Sequence, residues 1–160
     1  MTRRGLLAAG GLALLAGCGK DDAAEPLPTA SESLLLQLAA ERASAASLDG
    51  LDARAPAADR ELVRRLARRA DDRARRLAAA VAAEGGRPHD APAPDEPDSA
   101  VPDDAIERSR AAVAAHVEGI QWLGGDELRR LGTGLVTESA ADLAVLGAVF
   151  GISTAEAFPG

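Results

Sequence analysis

With 160 residues and 25 acidic side chains against 18 basic ones, the chain carries a formal charge of −7, which argues against general nucleic-acid binding. Its length suits one domain with a real core. Alanine and leucine dominate, tyrosine is absent, and the aromatic residues are Trp122, Phe150 and Phe158. With β-branched and aromatic residues this scarce, sheets are disfavoured and an all-α fold is expected.

The chain opens MTRRGLLAAGGLALLAGC. Arg3 and Arg4 precede an apolar run from Leu6 to Ala16, and Leu15-Ala16-Gly17 stands directly before the single cysteine, Cys18. The run is too short to cross about 30 Å of hydrocarbon as a stable helix, so a secretion signal fits better than a permanent span. This layout resembles a bacterial lipoprotein signal; an ordinary secretory signal with a chance cysteine is the alternative. The resemblance implies cleavage after Gly17, lipid on the Cys18 thiol, and an extracytoplasmic protein anchored to the cell membrane. Two or three acyl chains, at about 0.8 kcal/mol per buried methylene, give stable anchoring and leave no thiol for a disulfide or a nucleophile. Thr2-Arg3-Arg4-Gly5-Leu6-Leu7 also resembles a twin-arginine export signal, with a generic positive start as the other reading.

Residues 18–30, with Pro26 and Pro28 among small and charged side chains, read as a tether between lipid and domain. Residues 31–160 then carry four helical patterns. Ser31 or Ser33 is the expected cap of a first helix running to about Asp49, with Leu34, Leu38, Ala45 and Leu48 on one face. Asp59 is the expected N-cap of a second, from about Arg60 to Glu84, stopped by Gly85-Gly86 and Pro88. Its inward positions are Val63, Leu66, Ala67, Ala70, Ala74, Leu77 and Val81. Eight arginines lie between Arg60 and Arg76. Most fall on the opposite face, either as a solvated surface with ion pairs or as a dock for anionic lipid or an acidic protein.

Residues 86–102 hold Pro88, Pro92, Pro94, Pro97 and Pro102 and little apolar content, so they read as an extended linker. Each flank is too small for its own core, which makes this a crossover inside one domain. A third helix is expected from Asp103 or Asp104 to about Leu123, with Ile106, Val113, Val117 and Ile120 inward. Gly124-Gly125 breaks it. The fourth runs from Asp126 to about Phe150, with Leu128, Leu131, Leu135, Leu146 and Val149 on one face and Gly151 closing it. Short, long, short connections make helices 2 and 3 parallel.

The mature chain resembles the ferritin-like domains of exported bacterial proteins, especially actinobacterial lipoproteins of unknown function. The resemblance rests on Leu38-Ala39-Ala40-Glu41-Arg42-Ala43, on Leu77 through Gly85-Gly86-Arg87-Pro88, on Trp122-Leu123-Gly124 and on Ala157-Phe158-Pro159-Gly160. It implies a ferritin-like four-helix bundle over about residues 32–160. Iron-binding members of the wider group place a glutamate on each of two helices and a Glu-x-x-His pair on each of the other two. Glu41 and Glu138 match glutamate positions. The histidine slot after Glu138 is Ala141, helix 2 offers Ala70 or Asp71 followed by Arg73 or Ala74, and helix 3 has Ala115 and His116. A conventional di-iron centre is therefore not expected.

Helical geometry places several polar groups inward. Glu41 lies roughly 20° from the centre of its apolar face, Asp142 is similarly central, and Glu138, His116 and Arg73 lie about 60° off theirs. Inward carboxylates need partners, a raised pKa or a cation. Three arrangements are open: ion pairing with Arg73 aided by His116; iron or manganese bound by Glu41, His116, Glu138 and Asp142; or bundle edges where these groups reach water. His89 is expected in an exposed loop, and Trp122 opposite the core face of its helix. No Ser-His-Asp triad, phosphate-cradling glycine loop or cysteine metal site is visible. The expected role is a binding or structural module at the cell envelope, without a cofactor. A divergent carboxylate metalloprotein handling iron, manganese or peroxide is the alternative.

Overall fold

The computed structural model describes residues 27–94 and 101–154, and among these every regular element is a helix. The signal sequence, the Cys18 lipidation site, the tether up to Pro26 and the terminal 157–160 motif lie outside the described residues. Four helices carry the fold: α1 (Ala30–Leu48), α2 (Arg60–Ala83), α3 (Pro102–Gly119) and α4 (Gly125–Phe150). Single 3-10 turns at Leu51–Ala53, Pro88–Asp90 and Ile120–Trp122 join them.

The ends follow local chemistry, with two corrections. Thr29, not Ser31 or Ser33, caps α1: its hydroxyl accepts from the Glu32 amide at 3.2 Å while the Glu32 carboxylate accepts from the Thr29 amide at 2.7 Å. That reciprocal pair satisfies two orphan donors and leaves Ser33 free to turn inward. At α3 the first residue is Pro102 instead of Asp103 or Asp104. Proline suits this position because its φ is already helical and its missing N–H would have had no partner. Asp59 sits at the N-cap of α2 as expected, although its side chain makes no capping bond. At the other end of α2, Gly85 at φ 78° lets the Gly86 amide reach back to the Val81 carbonyl at 2.9 Å. Gly151 does the same for α4.

Two apolar clusters give the helix directions. One joins Leu48, Leu51, Val63, Leu66, Ile106, Leu143 and Leu146. It therefore gathers the end of α1, the starts of α2 and α3, and the end of α4. The other joins Leu34, Leu38, Leu77, Val81, Leu123 and Leu135 at the opposite pole. Helices α2 and α3 accordingly point the same way, and both run against α1 and α4. Helix α1 packs along α2 and α3, and α3 along α4, while α2 and α4 meet less extensively. By length and composition α4 is apolar enough to cross a membrane, yet Leu135, Leu143 and Leu146 lie in the bundle core and Asp142 is buried there too.

One apolar inward assignment fails. Val117 is 48 % exposed, because the buried face of α3 is built from Ala105, Ile106, Ser109, Ala112, Val113 and His116. These include small residues, which let α1 come close.

Candidate functional site

Between the two apolar clusters lies a polar layer that crosses all four helices. The stripe Ser33, Gln37, Glu41, Ser44 and Ser47 recurs at helical spacing along α1, and every member is buried. Glu41 is the centre. Its Oε1 accepts from Arg73 Nε on α2, from His116 Nε2 on α3 and from Ser139 Oγ on α4, each at 2.8 Å. Arg73 reaches onward, its Nη1 donating to Asp142 Oδ2 at 2.6 Å. Arg69 Nη1 stands 2.9 Å from the other Asp142 oxygen, a charge contact without hydrogen-bond alignment. The second oxygen of Glu41, Oε2, is buried and has no hydrogen-bond partner among the described residues.

A hydrogen-bond relay on the α1–α3 side fixes the proton positions. The Gly119 carbonyl can only accept, so the Ser33 hydroxyl donates to it at 3.1 Å. Ser33 Oγ then accepts from Gln37 Nε2 at 3.2 Å, which turns Gln37 Oε1 toward His116 Nδ1 at 2.9 Å. Both ring nitrogens of His116 thus face side-chain oxygens, Gln37 Oε1 and Glu41 Oε1. The Arg73 guanidinium stands between the two carboxylates, the His116 ring closes on Glu41, and the half-exposed Arg69 adds a second guanidinium at the rim.

Burial pushes the Glu41 carboxyl up, but the His116 hydrogen bond and the Arg73 charge outweigh it and hold the group below the usual carboxylate range. Asp142 goes the other way. Burial raises it, and its hydrogen bond to Arg73 and the charges of Arg73 and Arg69 do not fully compensate. For Arg73 burial works against the charged form, and the Glu41 and Asp142 carboxylates more than restore it.

Of the residues singled out from the sequence, Glu41, Arg73, His116 and Asp142 meet here. Glu138 does not. Its side chain lies at the surface, paired with Arg76 of α2, and the α4 side chain turned to the centre is Ser139. Sequence reading missed Ser139, Gln37 and Ser33; the helical repeat of polar residues beside Leu34 and Leu38 was the available signal. His89 is exposed, as its loop suggested.

The ligand set that the ferritin-like resemblance brings to mind does not fit these residues. The Arg73 guanidinium bridges Glu41 and Asp142, and Glu41 Oε1 already accepts three donors. Ala141, in the histidine slot, faces outward. Among the described residues no three His, Cys, Asp or Glu side chains converge as a metal ion requires.

Much of the arginine face of α2 is paired with acids of α2 itself, of the preceding turn and of α4. Arg64 pairs with Asp52 and Glu61, Arg68 with Glu61, Arg75 with Asp72 and Arg76 with Glu138.

Gly119 has a steric role in the relay. A Cβ there would lie 2.3 Å from Gln37 Nε2 and 2.8 Å from Ser33 Oγ. Gly119→Ala is expected to displace Gln37 and lower stability by about 1–3 kcal/mol in urea unfolding. Gly134→Ala, at a helix position with nothing within 4 Å of the new methyl, should raise it by about 0.5–1 kcal/mol. Equal effects at the two sites would show that the relay does not constrain Gly119.

Comparison with known proteins finds no matching family, no matching curated protein and no matching solved structure.

Proposed function

We propose that this chain is a lipid-anchored, extracytoplasmic bundle of ferritin-like architecture that serves as a binding or structural module at the cell envelope. The parallel α2 and α3, joined through the proline-rich crossover of residues 86–102, support the ferritin-like assignment. The signal at residues 1–18 supports the address.

One observation carries the non-metal reading: Arg73 holds the two inward acids together from between them, at 2.8 and 2.6 Å. A guanidinium so placed supplies the positive charge that a cation would otherwise bring. The centre then works as a packing device, and function resides on the surface.

The test is metal loading. Protein incubated with iron(II) or manganese(II) in air, then freed of excess ion, is expected to retain far less than one ion per chain and to show no oxidase activity. Near-stoichiometric uptake, lost in the Glu41→Ala variant, would replace this reading with a carboxylate metalloprotein in which Arg73 swings aside.

A further inference from the structure

The pole of the bundle where α1 begins carries an apolar surface that the packing does not use. Leu27 is 74 % exposed and Leu36 is 60 % exposed. A groove of about 430 Å³ runs from Pro28 and Leu36 across to the half-buried Trp122, with Ser33 and Gly119 among its lining and Glu118 contributing the one charge.

We propose that this patch seats the domain on the bilayer surface, with Leu27, Leu36 and Trp122 entering the boundary between headgroups and acyl chains. The proposal rests on the lipid-anchor reading of Cys18. Eight residues lie between Cys18 and Leu27, so the nine steps from one to the other reach at most about 32 Å when fully extended. Helix α1, with 19 residues, is itself about 28 Å long. The lipid therefore keeps the Leu27 pole near the membrane, and the opposite pole can touch it only if the bundle inverts.

The side chains at this pole suit a neutral lipid surface. Tryptophan, with a broad apolar ring and one polar N–H, favours the membrane interface. The one charge lining the groove is Glu118, which anionic headgroups would repel. Seating here is driven by apolar burial and is insensitive to salt, unlike docking through arginines.

Trp122 is the sole tryptophan of a chain without tyrosine, so its fluorescence reports the patch directly. Cys18 is the sole cysteine and gives a defined coupling site. Residues 18–160, which include the whole described bundle, would be coupled through Cys18 to a maleimide phospholipid in phosphatidylcholine vesicles with brominated acyl chains. Trp122 emission is expected to fall by about half or more relative to unbrominated vesicles, at low and high salt alike. The uncoupled protein should bind such vesicles weakly, and Leu36→Ser, at an exposed position that folding does not need, should weaken that binding roughly tenfold.

Unquenched Trp122 on the coupled chain overturns the proposal. So does quenching abolished by salt, or shielding of Trp122 that needs no lipid and accompanies dimerisation in sedimentation, which would assign the patch to a second copy. The anchor reading fails separately, if protein from its native membrane lacks acyl mass at Cys18. The coupled chain supplies its own anchor, so it still decides the patch in that case.

Discussion

Arg73→Met lowers the unfolding free energy by about 3–5 kcal/mol, measured by urea denaturation at neutral pH. Methionine fills much of the arginine volume, so the effect comes from charge. Glu41 is fully buried and Asp142 nearly so, and each would lose a guanidinium at 2.8 or 2.6 Å. Domains of this size hold about 5–15 kcal/mol in all, so the variant sits near the edge of folding. Adding Glu41→Gln to Arg73→Met should restore part of the loss, because it removes one of the two buried carboxylates that have lost the guanidinium. A double-mutant cycle between these positions reads their coupling directly. A loss under about 1 kcal/mol for Arg73→Met would mean that the centre is wet and the bridge incidental.

Glu41→Leu is expected to be comparably severe, by about 3–5 kcal/mol, and to change the response to acid. The variant strips the shared acceptor from Arg73, His116 and Ser139 at once. In the native protein the folded-state pKa of Glu41 lies below its ordinary value of 4.5. The stability it contributes is therefore fully present above about pH 4.5 and is lost as pH falls through the folded-state value. Asp142 opposes this, since its carboxyl is raised above 3.8 and the folded state takes up that proton before the unfolded chain does. Urea midpoints measured from pH 6 down to pH 3 should thus fall less steeply in Glu41→Leu than in the native chain. Parallel pH profiles would show that Glu41 is not the acid-sensitive group.

The helices and their breaks were legible because their signals are local. Leucine and valine at helical spacing, Gly85-Gly86 and Gly124-Gly125, and the prolines of residues 86–102 each act on their own neighbourhood, and α2 and α4 ended within a residue or two of expectation. The inward placement of Glu41, Arg73, His116 and Asp142 also followed from periodicity. What escaped needed knowledge of neighbours. Polar residues on α1 look like a water-facing stripe, yet α1 packs along two helices and Gln37 is wholly buried. Val117 looked like core by its hydrophobicity, but small residues and His116 occupy that face of α3. Glu138 and Ser139 differ by one step of about 100°, and only the seating of α4 against α1 decides which of them turns inward.

The partners of Glu41 stand 32, 75 and 98 residues away along the chain, one on each of the other helices. No single helix pair supplies all three of its donors. A helix docked one turn out of step would strand a carboxylate in oil with too few donors, while the leucine layers above and below would tolerate the slip. One acid therefore ties the register of all four helices together.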